Sequence, residues 1–321
     1  MQASLMRSCE QFIENRKRVE RVFLLSTPQQ HCMCALLLCL DDCDADLAAI
    51  RRGLHTLRRR TPVFSTFRGV GITPIATKLS MRDRDDQWIN YAKDNLRALK
   101  KAGFAPTDYL CLAAMLMIKR HDKAEAVAAR AREIYASMRH AHRILTASED
   151  VCFAVLGAMY EDEPYAAAAA ETAFETLKGS FGAVNPVLTA ANELALLSVD
   201  PKQAALDTAW LYARIRALGV RTKTKSELGM LALIAALCGQ DEQAAKDVAE
   251  TEQYLARQRG FSAVKLGRAQ RLMCAASLVA IDRLHAAKDD KAYAKRRDTL
   301  QCALIVDFTL SVVQGMAATG I

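Results

Sequence analysis

Carboxylates that could do chemistry lie just before two apolar helical segments. Glu149 and Asp150 follow Ser148 ahead of the run FAVLGAM, and Glu227 holds the comparable place ahead of LGMLALIAAL. Paired carboxylates can act as general acid and base or hold a ligand. Acidic residues at these places can instead cap helix N-termini, where negative charge complements the free backbone amides. We interpret Ser148-Glu149-Asp150 first as a cap with acidic first-turn residues, with a carboxylate site as the alternative; Glu227 occupies the comparable place one face around.

Arginines lie in the same kind of loop. An arginine in the segment Phe67-Arg68-Gly69 could bind a carboxylate or a phosphate through two parallel hydrogen bonds. It could equally form an internal ion pair with Glu149 or Asp150 that locks adjacent repeats together. Arg268 and Arg271 raise the same question in the last loop. The complete set of candidate ligand-binding residues is Phe67, Arg68, Glu149, Asp150, Glu227, Arg268 and Arg271.

Four cysteines, Cys32, Cys34, Cys39 and Cys43, form the pattern C-x-C-x4-C-x3-C. On a helix Cys32, Cys39 and Cys43 would share a face, and convergent thiolates bind zinc or iron–sulfur clusters. However, the segment is strongly apolar and its spacing fits no usual metal motif. We therefore predict buried, reduced thiols, keep a metal or redox site as the alternative, and predict no cofactor.

The net charge of +8 comes from basic residues that are scattered along the chain with few interleaved aromatics. This pattern favours a solvated basic surface over a nucleic-acid interface. The C-terminal segment CALIVDFTLSVVQGMAATGI is long enough to span a bilayer, but Asp307 and Gln314 argue against lipid exposure. We expect it to close the fold, with a membrane anchor as the alternative. The N-terminus lacks the apolar core of a signal peptide, which predicts a cytoplasmic protein.

These residues are positioned by helical segments that repeat about every 40 residues. Each unit reads as an amphipathic helix, a longer loop and a short, nearly all-apolar helix. An alanine recurs among the apolar residues at Ala76, Ala113, Ala154, Ala195 and Ala232. An aspartate is predicted to open the amphipathic helix at Asp83, Asp122, Asp162, Asp200 and Asp241. Stacked helix pairs of this length build an α-solenoid or a closed α/α ring.

The sequence therefore predicts an all-α fold with about six helix pairs in a single domain. N-terminal helices occupy 1–61, helix-pair repeats occupy 62–287, and a closing helix occupies 288–321. In a regular stack the longer loops, which lead from the amphipathic to the apolar helix, all emerge at one end. Because loops on a rigid scaffold often carry function, this long-loop face is the predicted functional surface.

Several of these loops and apolar helices resemble a known family. FSTFRGVGITPIATKLS, LTASEDVCFAVLGAM, SELGMLALIAAL and GFSAVKLGRAQRLMCAASLVA are similar to segments of a bacterial family of uncharacterised helical proteins, domain of unknown function 4003. The similarity is in register over nearly the whole chain. It departs from the family pattern at Val151-Cys152, where an aromatic and a proline are expected. The resemblance implies an all-helical fold, and it implies neither an activity nor catalytic residues.

Three classes of function fit these features. The leading hypothesis is a non-enzymatic helical-repeat binding or scaffold protein that takes a protein, a peptide or a small molecule on its long-loop face. The first alternative is an enzyme with a pocket at one end of an α/α ring, using the carboxylates and arginines named above. The second is a nucleic-acid binder that uses the basic surface. The sequence favours neither a membrane nor a nucleic acid as the partner.

Overall fold

The structure is a computed structural model that describes residues 1–82, 85–160, 167–197, 200–221 and 225–319. Within these ranges every regular element is helical, which confirms the predicted all-α fold. Short 3₁₀ turns occupy Thr66–Arg68 and Met117–Lys123. The helices are α1 (Ala3–Glu20), α2 (Pro28–Leu40), α3 (Leu47–Arg60), α4 (Ile72–Ser80), α5 (Asp85–Lys101), α6 (Asp108–Leu116), α7 (Ala124–Ala141), α8 (Asp150–Met159), α9 (Ala167–Phe181), α10 (Asn185–Leu197), α11 (Pro201–Ala217), α12 (Leu228–Cys238), α13 (Glu242–Ala256), α14 (Arg268–Ala286) and α15 (Tyr293–Thr319).

Two kinds of helix alternate along the chain, as the sequence predicts. The short helices are buried on nearly all sides: every residue of α8 is buried, and so is α12 from Leu228 to Ala235. The long helices bury one stripe, as in α9 and α13. A helix that is apolar all round must be covered by other elements, whereas an amphipathic helix covers the core with one face. The recurring alanine is buried at Ala76, Ala113, Ala154 and Ala232 and half-buried at Ala195.

Aspartates cap two of the predicted helix starts. The side chain of Asp200 accepts a hydrogen bond from the Gln203 amide at 3.0 Å, and that of Asp241 accepts one from the Gln243 amide at 2.8 Å. Asp122 lies in the 3₁₀ segment Met117–Lys123, just after a break at Arg120 whose backbone angles are non-helical, and α7 begins two residues later at Ala124 without a side-chain cap. The other two aspartates, at positions 83 and 162, lie outside the described residues.

The chain groups into two compact units. Unit 1 comprises Met1–Ile13 and Ala166–Asp307, and unit 2 comprises Glu14–Tyr165 and Phe308–Ile321. Within unit 1 the long amphipathic helices pack in the order α9, α11, α13, and the apolar helices pack in the order α10, α12, α14. The apolar helix α14 is an exception in length, with 19 residues. Each amphipathic helix also packs on the apolar helix that follows it. The predicted organisation as a single domain stays a prediction.

Unit 2 repeats the same layering. The long helices α3, α5 and α7 pack in sequence, and the short helices pair as α2 with α4 and α6 with α8. The pairs α3–α4, α5–α6 and α7–α8 link the two layers. Across the described residues, no helix is both long enough and apolar enough to cross a bilayer.

Candidate functional site

The N-termini of the short helices of unit 2 meet at one end, which we call the loop end. The Gln30 side chain near the start of α2 donates to the Val70 carbonyl at 3.4 Å, and the Thr66 hydroxyl lies 2.7 Å from the Cys111 sulfur of α6. These bonds join the start of α2, the loop before α4 and the first turns of α6. The loop end is therefore formed by residues 21–27, 61–71, 102–107 and 142–149.

The fourth short helix of unit 2 belongs to the same end. The Cys152 thiol in the first turn of α8 donates to the Tyr109 carbonyl in the first turn of α6 at 3.5 Å. Because both helices contribute their first turns to this contact, the loops that precede them also lie side by side. Within unit 2 these contacts join the loops that precede the short helices into one connected group.

Large apolar side chains stand in solvent at the loop end. Leu25, Phe64 and Ile144 are between 95% and 103% exposed, and the neighbouring Leu24 and Val63 are also mostly exposed. In unit 1 the comparable loop before α14 carries Val264, which is 96% exposed. Among the described residues, the other exposed large apolar side chains are Leu206 and Val313, and both are less than half exposed. The most exposed apolar residues are therefore concentrated in loops that precede the apolar helices.

We call the exposed apolar residues of the loop end the apolar tips; they are Leu24, Leu25, Val63, Phe64 and Ile144. The charged residues around the apolar tips are mainly basic. Arg21 and Arg143 are exposed and lie just beyond the ends of α1 and α7, and Arg58 is exposed in the last turn of α3. Two acidic residues at this end, Glu149 and Asp150, are buried, whereas Asp108 is half-buried against Gly69 and Glu20 is exposed next to Arg21. The loop end therefore presents apolar side chains and cations to solvent while two of its carboxylates are kept inside.

Arg68 folds back onto its own helix pair. Its Nε donates to the Thr61 hydroxyl at 3.1 Å, and its Nη2 donates to the Arg58 and Thr61 carbonyls. These carbonyls are left free where α3 ends, so Arg68 caps the C-terminus of α3. The neighbouring Phe67 is buried. The hydrogen bonds of Arg68 thus hold the loop 61–71 in place, and they go to α3 rather than to the carboxylates before α8.

The two carboxylates before α8 differ in their local role. Asp150 accepts a hydrogen bond from the Ala147 amide at 2.9 Å, which fixes the turn into the helix. Glu149 occupies the N-cap position, as Glu227 does before α12, but neither side chain makes a cap hydrogen bond. The reason is that both residues already have helical backbone angles, whereas a capping side chain needs an extended N-cap residue.

Arg268 and Arg271 of unit 1 lie within one turn of α14, but only one of the two side chains is buried. Arg271 is buried, and its Nε donates to Glu252 at 2.8 Å while its Nη1 donates to the Phe261 carbonyl at 3.0 Å. It ties α14 to α13 and to the loop between them. Arg268 is exposed at the start of α14.

A second candidate site is a buried pair of carboxyl groups in unit 1. Glu193 of α10 and Asp307 of α15 both lie against Gly229 in the first turn of α12. A Cβ atom on Gly229 would meet the Asp307 Oδ2 and would lie 2.9 Å from the Glu193 Oε2. Only a glycine leaves room for both groups, and Glu227, which is also buried, precedes it by two residues. We call Glu193 and Asp307 the carboxyl pair.

The electrostatics of the carboxyl pair are unusual. Among the described residues, neither oxygen of Glu193 has a hydrogen-bond partner, and neither has the Asp307 Oδ2. Burial raises the pKa of Asp307 to about 8. Burial, followed by the charge of Asp307, raises the pKa of Glu193 well above its ordinary value. Removing a carboxylate from water penalises the charged form, so the pair holds protons at neutral pH.

Sequence reasoning missed Glu193 and used Asp307 only as an argument against lipid exposure. The available signal was an acidic residue inside an apolar run, in NELALL and IVDFTL. A single such residue does not reveal its neighbour, because the two positions lie on helices far apart in the chain. Only packing shows that they share one glycine.

The cysteine cluster is part of the core of unit 2. Cys32, Cys34 and Cys39 are buried in α2, as predicted, and Cys43 is half-buried beyond its end. Burial raises the pKa of the Cys34 thiol to about 12, which keeps it protonated. Within the ranges that the structure describes, no group of three or more His, Cys, Asp or Glu side chains could hold a metal ion.

These features define the class: an all-α protein of paired long and short helices with an exposed apolar loop end and a buried carboxyl pair. The chain belongs to the family described as Protein of unknown function (DUF4003), whose model matches residues 19–310. This confirms the resemblance seen in the sequence. No curated protein and no solved structure matches the chain.

Proposed function

We propose that this protein is a non-enzymatic binding or scaffold protein, built as an α-solenoid or a closed α/α ring, which binds its partner at the loop end. The observation that carries the proposal is the concentration of fully exposed apolar side chains there: Leu25, Phe64 and Ile144 lie on three different loops. The layering of long on long and short on short helices supports the repeat architecture.

The energetic argument favours a binding surface. Burying a side chain of the size of Leu, Ile or Phe is worth about 1.5–3 kcal/mol. Covering the five exposed apolar residues of the loop end would therefore yield roughly 10 kcal/mol, which is comparable with the cost of association. Isolated exposed apolar residues are ordinary, but a group of them on adjoining loops marks an interaction site.

The loop that carries Phe64 is held by internal bonds. Arg68 anchors it to the end of α3, and Thr66 anchors it to α6. A loop that is fixed before binding loses less conformational entropy when the partner arrives. On this proposal the predicted site residues Phe67 and Arg68 support the binding surface from behind rather than touching the partner.

The carboxyl pair supports the enzyme alternative. A carboxyl group with a pKa near 8 is protonated at neutral pH and can donate a proton, as a general acid must. Thermal-shift screening against small molecules tests this alternative. A ligand that stabilises the wild type but not Glu193→Gln would favour it, and a shift that survives this substitution would count against it.

The leading proposal is tested by removing the apolar tips without changing the core. The variant Leu25→Ser/Phe64→Ser/Ile144→Ser removes one tip from each loop. Leu206→Ser, which changes an exposed leucine on α11, serves as the control. Quantitative capture from extracts of the source cells, including their membrane fraction, should recover a partner with the wild type and the control that the triple variant loses. Equal recovery with all three proteins would refute the loop end as the binding surface.

A further inference from the structure

We propose that the partner of the loop end is the surface of an anionic lipid bilayer. This inference rests on the proposed binding function and names its target. In this arrangement Leu25, Phe64 and Ile144 insert into the headgroup region, and the arginines beside them contact lipid phosphates. The proposed contact is peripheral, because among the described residues no helix is long and apolar enough to cross the bilayer.

The distribution of the apolar tips favours a bilayer over a folded partner. The tips lie on three separate loops, as the dipeptides Leu24-Leu25 and Val63-Phe64 and the single residue Ile144. A folded partner would need a matching pocket for each tip, because protein interfaces are packed as closely as protein interiors. A bilayer interface needs no such pockets, since its binding strength follows the apolar area that is inserted and the attraction to anionic lipids.

Charge complementarity supplies the second argument. Arg143 immediately precedes Ile144, and Arg21 lies three residues before Leu24. Cations in the last turn of a helix also offset the helix dipole, which accounts for residues such as Arg58. Arg21 and Arg143 lie beyond the ends of their helices, so the dipole explains them less well. Basic residues near an anionic membrane are attracted to its surface potential.

Two acidic residues of this end fit the same picture. Glu149 and Asp150 follow Ile144 at the start of α8, but both are buried, so their charges do not face a membrane that meets the tips. Two others are exceptions: Glu20 is exposed in the last turn of α1 next to Arg21, and Asp108 is half-buried in the first turn of α6 against Gly69. The sequence alone argued against a membrane partner from the C-terminal segment, which is a different feature from these loops.

The test uses the full-length protein and vesicles of two compositions. One set contains phosphatidylcholine alone, and the other contains phosphatidylcholine with about one-third phosphatidylglycerol. We expect co-sedimentation with the anionic vesicles only, and we expect binding to weaken at least tenfold as the salt concentration rises from about 50 to about 500 mM. Absence of binding to the anionic vesicles, or equal binding to both sets, would overturn the inference.

Matched variants separate the two contributions. Phe64→Ser/Ile144→Ser should weaken vesicle binding at least tenfold, while Leu206→Ser should not. Arg21→Gln/Arg143→Gln should also weaken it and should reduce its dependence on salt. The charge control is Arg51→Gln/Arg52→Gln, which removes two exposed cations from the start of α3. Equal losses in the control and the loop-end arginine variant would show nonspecific attraction and would overturn the assignment of this surface.

A tryptophan placed at a tip reports insertion directly. Phe64→Trp should show a blue-shifted emission with anionic vesicles and no shift with neutral ones; an unchanged spectrum with bound vesicles would overturn insertion at this loop. The capture experiment distinguishes failure of this inference from failure of the proposed function. A protein partner that is lost with the tip variants, together with no vesicle binding, would leave the binding function standing and refute the bilayer. If neither a protein nor vesicles bind, both proposals fall.

Discussion

The interior of unit 1 and the loop end of unit 2 both depart from the usual placement of side chains. The interior of unit 1 buries carboxyl groups, and the loop end of unit 2 exposes apolar side chains. Unit 1 buries Glu193 and Asp307 against Gly229, whereas unit 2 leaves Leu25 and Phe64 in water. The costs are unequal. A buried carboxyl group loses hydration on folding, which destabilises the native state. An exposed apolar residue is equally exposed in the unfolded chain, so it costs folding almost nothing.

This difference separates two kinds of candidate site. The loop end can serve a partner without any loss of stability, and its substitutions should affect binding alone. The carboxyl pair is built at a cost to stability that depends on pH. Arg271 allows a third comparison, because it is a buried charge like the carboxyl pair but forms an ion pair with Glu252. The following predictions test this comparison.

The largest effect should come from pH acting on the carboxyl pair. The folded protein holds a proton on Asp307 up to a pKa of about 8, whereas the ordinary pKa is 3.8. The unfolded chain releases this proton earlier, so the free energy of unfolding should fall between about pH 4 and pH 8, by up to ~1.4 kcal/mol per pH unit from Asp307, with Glu193 adding to the slope in the same direction. Asp307→Asn should reduce this slope in urea denaturation measured across that range.

Asp46→Asn is the control for the pH experiment. Hydrogen bonds from the Ala49 and Ala48 amides lower the pKa of Asp46, so its contribution is present above the ordinary pKa and is lost as the pH falls. Its removal should therefore leave the slope above pH 5 unchanged. A wild-type slope that is flat over this range, or that persists in full in Asp307→Asn, would contradict the account of the carboxyl pair.

The second-largest effect on stability should come from breaking the ion pair between Arg271 and Glu252. Arg271→Ala leaves the half-buried Glu252 without its cation and should lower the free energy of unfolding by about 3 kcal/mol, because a largely desolvated carboxylate loses its partner. Arg268→Ala, on the exposed side of the same helix turn, should change it by less than about 0.5 kcal/mol. Chemical denaturation of both variants measures the difference. Similar, small effects would mean that Arg271 is free to bind a ligand, as the sequence allowed.

Filling the space beside the carboxyl pair should have a moderate effect. Gly229→Ala places a methyl group against the Asp307 and Glu193 oxygens and should destabilise the protein by about 2 kcal/mol through overpacking. Gly179→Ala is the matched control, since its Cβ would meet nothing within 4 Å on α9. Alanine favours a helix over glycine, so the control should be neutral or stabilising by up to about 1 kcal/mol. Equal midpoint temperatures of the two variants in thermal denaturation would show that Gly229 is not tightly enclosed.

The smallest effect on stability should follow from changing the apolar tips. Phe64→Ser and Ile144→Ser should each alter the free energy of unfolding by less than about 0.5 kcal/mol, because neither side chain is buried. Phe67→Ala, three residues from Phe64 but buried, should cost about 3 kcal/mol. If the tip variants destabilised the fold as Phe67→Ala does, the tips would be part of the core and the comparison of the two regions would fail.

Prediction from sequence succeeded where local rules apply. The all-apolar short helices and the caps at Asp200 and Asp241 follow from periodicity and from helix-end chemistry, which involve residues within a few positions of each other. At Asp122 the rules placed the helix start two residues early, because a 3₁₀ segment with a break at Arg120 leads into α7. They also did not foresee that the Glu149 side chain makes no cap hydrogen bond, since its backbone angles are already helical.

The candidate site residues show the limit of the same reasoning. The sequence marked Arg68 and Arg271 as cations in loops but could not choose between a ligand and an internal partner. That choice depends on which backbone carbonyl or carboxylate is brought near by a different helix. The carboxyl pair and the exposed tips escaped prediction for the same reason: burial of Glu193 and exposure of Phe64 are properties of the packed chain.

The sequence by itself determined the all-α fold, the alternation of long amphipathic and short apolar helices, and the family, because each depends on patterns that recur along the chain. The tertiary structure alone decided which residues meet. It brought Glu193 and Asp307 to one glycine, turned Arg68 back onto α3, and left Leu25, Phe64 and Ile144 in solvent at one end of unit 2. The physical reason is that burial and pairing energies arise between residues distant in sequence, and the repeat pattern specifies helices without specifying those contacts.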